Sequence, residues 1–322
     1  MANPFKKLIE PRLPPAAIGI SKDDASVVAL ERRRDVFGVR RAGHAALPEG
    51  LLHPNFDSVN ITDAGEFTEI LAELVTNVGL LKRRRWSVAL PEAATRTAIV
   101  TLESVPASRG ELEEMLRWKT ERAIGAPPDE LRVARQRLAA DAEGRARYLV
   151  TAMRLDVLGE YESVFASLGW HMGLVLPRHM GEAWWLMRDG ASAADALLVS
   201  AHEEGFTAVL LRRGQPLLVR TAICEQDDCA DELYRFILFY RDRLTSSSVA
   251  GDVNGVPVET IERLLVTGST IDREAASATI AETLSVAPRI FDAEDVRLAM
   301  PSSDLDFNLI AAPAGLAALS WS

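Results

Sequence analysis

The sequence predicts an α/β protein of two lobes related by internal duplication, with a smaller α/β module inserted in the first. The order β-β-β-α-β runs once up to Pro91 and again from Ala196 onward. Between the two, residues 92 to about 165 read strand, helix, strand, strand, helix. The 322 residues, 48% hydrophobic and 25% charged, are enough for two soluble globular lobes with sizeable cores. No apolar run is long enough to span a bilayer.

The first repeat opens with apolar Ala16-Ala17-Ile18, a polar turn Ser21-Lys22-Asp23-Asp24, and an outgoing Val27-Val28-Ala29-Leu30. Val36–Arg40 is a third strand, and Pro48 and Pro54 mark a loop. Phe67, Ile70, Leu71, Leu74, Val75 and Val78 recur at helical spacing over about Ala64–Leu80. After the basic run Lys82–Arg85, Trp86–Leu90 is a buried strand stopped by Pro91. This is the first half of a ribonuclease H-like lobe. The proline-bearing segment Met1–Pro15 is an extended lead-in, with Lys6-Lys7 but no signal-peptide pattern.

In the insert, Thr97–Leu102 alternates like a strand, and Ser108 with Glu111 forms a capping box for a helix to Ile124. Two strands over Leu131–Leu138 and Arg147–Met153 flank a turn at Asp141–Gly144, and a helix over Leu155–Leu168 closes the module. Trp170–Leu176 is a strand, Arg178–Arg188 a helix, and Asp189–Ser192 a linker. The second repeat has strands at Ala196–Ser200, Phe206–Leu211 and Leu217–Arg220, then a helix over about Asp227–Leu244. A loop over Ser246–Pro257 leads to a strand at Arg263–Gly268, a helix at Asp272–Leu284 and a short strand at Pro288–Phe291. Asn308–Leu319 closes the chain as an Ala/Leu-rich segment around Gly315. Gly315 is either a helix-packing residue or part of a nucleotide wall, and its small neighbours favour packing.

With that duplication and insert in view, the chain resembles the PilM family of type IV pilus assembly proteins. These are actin-like relatives of the cell-division protein FtsA and of the cytoplasmic part of the type II secretion protein GspL. The resemblance rests on the Gly19-Ile20 hairpin, Val88-Ala89-Leu90-Pro91, Glu111–Leu116 leading to Ile124–Pro127, and the closing Ala312–Ala317, in that order. It implies an actin-like two-domain fold with an FtsA-type 1C-like module. The implied domains are 1–91 with 166–190 and 304–322 for 1A, 92–165 for the insert, and 191–303 for 2A with a reduced 2B.

The family's nucleotide chemistry is thinned at three places. The first phosphate turn reads Ser21-Lys22-Asp23-Asp24 instead of Asp-x-Gly-Ser, the second Ser200-Ala201-His202-Glu203 instead of Asp-x-Gly. The adenosine-side glycine run is reduced to Thr267-Gly268-Ser269. A glycine-poor loop cannot bring backbone amides against phosphate, and without two acidic residues Mg²⁺ and water lose their placement. The resulting expectation is a pseudo-ATPase with no catalytic residue and no metal site. Its degenerate nucleotide-site candidates are Ser21, Lys22, Asp23, Ser26, Glu203, Gly268 and Ser269.

Several residues carry two readings. Lys22 and Glu203 are either replacements for a phosphate partner and a metal ligand or exposed turn residues; the latter is favoured. His202 is read as incidental, having no triad partner at a recognisable spacing. The run Lys82–Arg85 either touches anionic lipid or an acidic partner, or is a solvated helix end set against its dipole, the favoured alternative. Trp184-Trp185 is either a partner surface or interdomain core. Cys224 and Cys229 are expected as reduced, buried thiols of a cytoplasmic protein.

The net charge of −10 argues against nucleic-acid binding. The resemblance implies a cytoplasmic scaffold that binds the N-terminal tail of a PilN-like single-pass inner-membrane protein, in a groove between the first domain and the insert. It would meet the membrane through that partner only, and self-association is compatible with the role. No cofactor is expected. The alternative is a nucleotide-binding actin-like ATPase or small-molecule kinase using ATP and Mg²⁺.

Overall fold

The computed structural model describes residues 13–188, 194–248, 260–301 and 305–321. The lead-in before residue 13, the linker at 189–193 and most of the loop expected over 246–257 lie outside the described residues.

The first sheet is built outward from β1 (Ala16–Ile20), whose five residues are all buried, so its sequence shows no polar alternation. β2 (Asp24–Arg33) and β3 (Val36–Ala46) follow as an antiparallel meander. They run several residues beyond the apolar cores that predicted them. α1 (Ala64–Asn77) is capped by Asp63, which accepts the N–H groups of Gly65 and Glu66, and returns the chain to β4 (Arg85–Leu90), parallel to β1.

The insert contributes β5 (Arg96–Thr101), α2 (Arg109–Ile124), β6 (Leu131–Leu138) and β7 (Arg147–Arg154), with sheet order β5-β7-β6. The capping box forms with a shift. Ser108 accepts the Glu111 N–H at 3.1 Å, while the Glu111 carboxylate reaches past Ser108 to the N–H of Ala107 at 2.6 Å. The helix expected to close the module, α3 (Leu155–Ser167), turns its apolar face (Val157, Leu158, Tyr161, Val164, Phe165) into one cluster with Met153 of β7 and with Phe67, Trp86 and Trp170 of the first lobe.

β8 (His171–Pro177) joins the first sheet beside β4, and α4 (Arg178–Met187) follows. The second sheet repeats the plan with β9 (Asp195–His202), β10 (Gly205–Arg212), β11 (Gln215–Ile223), α5 (Cys229–Ser248) and β12 (Ile261–Thr267), the last parallel to β9. α6 (Arg273–Leu284), β13 (Arg289–Ile290) and β14 (Leu298–Ala299) lead to α7 (Phe307–Ala318). β14, unanticipated because it has two residues, pairs with β3. The orders are β14-β3-β2-β1-β4-β8 and β11-β10-β9-β12-β13. The duplication is present.

The two cysteines depart from expectation. Cys224, just past β11, and Cys229, at the head of α5, are joined as a disulfide with Cα atoms 5.6 Å apart. A 3₁₀ turn over Gln226–Asp228 folds the chain back, which brings a five-residue spacing into bonding range.

Between the sheets lie α4 and α7. α7 covers β1, β2 and β4, and α4 covers β9 and β10, so one cluster holds side chains from both sheets. Trp185 is buried there and donates its Nε1–H to the carbonyl of Ala311 at 2.9 Å, while half-buried Trp184 stacks edge-on against it and Phe37. The core reading of this pair holds. The helices cross backbone to backbone. A Cβ on Gly315 would fall inside the Gly181 carbonyl, and one on Gly181 inside that of Ala312. Gly315→Ala is expected to lower unfolding free energy by about 3 kcal/mol through overpacking, read by urea denaturation. An unchanged midpoint would show that the crossing is slack.

Candidate functional site

The interlobe cleft is bounded by the two hairpin turns, by the segment after β4, and by the heads of α4 and α7. Of the expected site residues, Ser21, Lys22, Glu203, Gly268 and Ser269 line it. Asp23 and Ser26 do not. Asp23 is exposed.

Ser26 has a different task. Pro313 lies inside α7 and has no N–H to give the carbonyl four residues back, which is that of Leu309. The buried Ser26 hydroxyl donates to that oxygen at 2.8 Å and replaces the missing bond. Ser26→Ala is therefore expected to cost about 2 kcal/mol, the penalty for an orphaned buried acceptor. In a Ser26→Ala/Pro313→Ala pair much of that cost returns, because alanine restores the N–H. A purely additive double-mutant cycle would show that the two are uncoupled.

The first turn is closed on itself. The Ser21 N–H donates to the Asp24 carbonyl at 2.9 Å, the Asp24 N–H donates to Ser21 Oγ at 3.0 Å, and the Ser21 hydroxyl bonds the Asp24 carboxylate. These amides are already engaged inside the turn and point at no anion. The second turn, Glu203-Glu204, is a two-residue link between paired His202 and Gly205. Gly268 is the surviving glycine for a local reason. Its φ is +84°, and a Cβ there would strike the carbonyl of Ala201 on β9.

Five carboxylates (Asp24, Glu92, Glu203, Glu204, Asp306) and two cations (Lys22, Arg178) are among the described residues lining the cleft. Its volume is about 120 Å³. It opens toward a groove of about 500 Å³ between the heads of α5 and α6, the two sharing Gly268, Ser269, Thr270 and Asn308.

Behind the cleft sits a buried polar cluster that sequence reading missed. Glu92, in the 3₁₀ turn after β4, accepts both the backbone N–H of His179 at 2.6 Å and its ring Nδ1 at 2.5 Å. Burial opposes ionisation of Glu92, but the His179 contacts, with His202 nearby, hold its pKa below the ordinary carboxylate value. Glu182, one turn along α4, is pushed the other way. Burial raises its pKa and nearby Glu92 adds to this, against the pull of Arg178 at 3.8 Å. Burial also lowers the His202 pKa, against Glu92, Glu203 and Glu204. Among the described residues, the buried side-chain atoms without a partner include Arg178 Nη1, His179 Nε2, Glu182 Oε2, His202 Nε2 and Thr267 Oγ1, all in this cluster. The only sequence cue was Arg178-His179 and Glu182 at helical spacing after a strand.

The two glutamates should titrate stability in opposite senses. The depressed pKa of Glu92 gives stability present above its unfolded value near 4.5 and lost as pH falls through the folded value. The raised pKa of Glu182 gives stability present below 4.5 and lost as pH rises through the folded value. Glu92→Gln is then expected to cost about 3 kcal/mol at pH 7. Glu182→Gln is expected to add about 1 kcal/mol at pH 8 and little at pH 4. Urea unfolding across pH 4–8 checks both, and a loss of stability for Glu182→Gln at pH 8 would refute the assignment.

No protein-family model matches the chain, and no curated protein matches it in sequence. Solved structures do. A chain of the PilM–PilN type IV pilus biogenesis complex is 17% identical and superposes with a TM-score of 0.72, over 97% of this chain and all of that one. The chain has the actin-like ATPase fold. Other matches include the cytoplasmic domain of EpsL, an inner-membrane component of the Vibrio cholerae type II secretion system (12% identity, 95% and 93% coverage, TM-score 0.46). An actin-like ATPase-fold protein of unknown function from Bacteroides thetaiotaomicron gives 11%, 97% and 98%, and 0.47. No helix among the described residues is long and apolar enough to cross a membrane.

Proposed function

We propose that this chain is a cytoplasmic scaffold of a type IV pilus or type II secretion-like assembly platform, binding the N-terminal tail of a PilN-like inner-membrane protein without hydrolysing ATP. The observation that carries this reading is the inverted chemistry of the cleft. A phosphate entering it would meet a first turn whose Ser21 and Asp24 amides and Ser21 hydroxyl are already bonded to one another, and five carboxylates against two cations. Coulomb repulsion in a partly buried site outweighs two opposing charges at similar range.

A surface suited to an extended peptide lies elsewhere. Where the insert meets the first lobe, α2, β6 and Leu155 enclose a groove of about 640 Å³ lined by both charge signs, with Leu131 and Val133 as its apolar floor. β6 is an edge strand of its sheet, so its outer N–H and C=O groups can extend the ladder to an added strand. Leu155 is exposed there. The groove is the counterpart of the one that the resemblance implies.

The 500 Å³ groove beside Gly268 favours the second reading, a nucleotide-binding protein, and the two separate in one experiment. Millimolar ATP with Mg²⁺ is expected to leave the thermal midpoint unchanged, and a rise of several degrees would sink the pseudo-ATPase reading. A peptide copying the N-terminal tail of a PilN-like single-pass membrane protein is expected to bind. Val133→Asp or Leu155→Asp should weaken that binding at least about tenfold with the fold intact. Unchanged affinity in both variants would place the peptide elsewhere.

A further inference from the structure

The end of the first lobe farthest from the cleft carries a charge that neither the scaffold reading nor the fold requires. β2 and β4 flank β1, about 10 Å apart across it. Ala16 pairs with Ala29 and Ala17 with Ser87, so Arg33 and Arg83 each lie four residues beyond those partners, past the same end of β1. Arg33 and Arg34 at the tip of the β2–β3 hairpin, Lys82, Arg83 and Arg84 before β4 and Arg85 at its first position therefore share one pole, and all six are exposed. Only Arg33 has a carboxylate within salt-bridge distance among the described residues, Glu31 at 2.8 Å.

The helix-dipole account of the basic run does not hold. The group that caps the end of α1 is Arg41, whose Nη1 donates to the Val78 carbonyl at 3.0 Å. Lys82 to Arg85 come four and more residues after Val78, beyond the last turn, where a dipole's influence has faded. Arg84 reaches the Leu168 carbonyl at 3.3 Å, and no carboxylate takes up the others. Two large aliphatic side chains stand exposed at the same pole, Val36 at 41% and Leu81 at 53%.

We infer that this pole docks directly on an anionic lipid bilayer. Guanidinium groups pair with phosphate headgroups, and exposed Leu81 and Val36 lose water when pressed into the headgroup boundary. A soluble polyanion would use the charges but leave the aliphatic pair wet. The pole itself is net positive, its six basic residues outnumbering Glu31 and Asp35 at the hairpin tip, although the whole chain carries −10. The five residues of β1 hold the cleft carboxylates about 17 Å from the pole, two Debye lengths at physiological salt. The inference is independent of the peptide groove, because Leu155 and Leu168 lie at opposite ends of α3, about 20 Å apart. Failure of peptide binding would leave it standing.

The test is co-sedimentation of the full chain with vesicles of phosphatidylcholine alone or with about one-third phosphatidylglycerol. Binding is expected on the anionic vesicles only, weakening as salt rises. Lys82→Gln/Arg83→Gln/Arg34→Asn should lower the partition coefficient on the order of a hundredfold. Leu81→Ser should lower it about fivefold, and thermal midpoints should hold in both. Arg132→Gln/Arg137→Gln on exposed β6 is the control and should change nothing. The inference fails if the wild type ignores anionic vesicles, if neutral vesicles bind equally, or if the β6 control loses as much as the triple variant. It also fails if heparin binds as tightly as the vesicles while Leu81→Ser leaves vesicle binding unchanged, since the pole would then be a general polyanion site.

Discussion

The crossing of α4 and α7 is the constraint on which the other features hang. Two helices buried between two sheets must approach closely if both sheets are to reach the same apolar cluster, and side chains at the crossing would hold them apart. Gly181 and Gly315 remove those side chains, so each backbone rests on the other's carbonyls. The contact fixes the heads of both helices. Arg178 on α4, and Asp306, Asn308 and Leu309 at the start of α7, thereby line the interlobe cleft, with His179 and Glu182 of α4 buried behind it. Pro313 shows how closely the strands and α7 are fitted, since the hydrogen bond it removes is supplied by Ser26 from the opposing β2.

The cleft that results is polar but turned inward. The Ser21 and Asp24 amides and the Ser21 hydroxyl are engaged within the first turn, and five carboxylates line the cleft. Behind it, the His179 contacts hold the Glu92 pKa below the ordinary carboxylate value, while Glu182 lacks a partner of equal strength and burial raises its pKa. Unpartnered buried atoms at this depth each cost about 1–3 kcal/mol, and a protein tolerates several together only where the surrounding packing enforces them. Here the enforcing element is again the α4–α7 pair. The insert adds a second brace, because Arg147 on β7 donates to the Leu217 carbonyl on β11 at 2.8 Å, tying it to the second lobe.

Much of the fold was legible because its elements obey local rules. The repeat of β-β-β-α-β, the Ser108 cap and the apolar faces of α1 and α5 follow from periodicity and capping, which act within a few residues. That α3 packs against Phe67, Trp86 and Trp170 was not legible, because a helix adjacent in sequence to the insert gives no sign of which sheet its apolar face meets. The disulfide was missed because a five-residue spacing is silent until a turn closes it. The site was half legible. Turn residues such as Ser21, Lys22 and Glu203 advertise themselves by lying between strands, whereas Glu92 and Glu182 are 87 and 3 residues from the His179 about which they gather. Ser26 was a candidate for the nucleotide site until its partner, 283 residues away, came into view.

The sequence by itself determined the two-lobed α/β plan, the place of the insert and the loss of glycine and acidic residues from three turns, because these depend on residue type and short-range spacing. Only the tertiary structure decided that the first turn is closed, that two buried glutamates differ in protonation preference, and that basic residues some fifty positions apart share one pole. Those properties are set by which groups lie within a few ångströms, and proximity across a sheet depends on register and strand order, which no local pattern encodes.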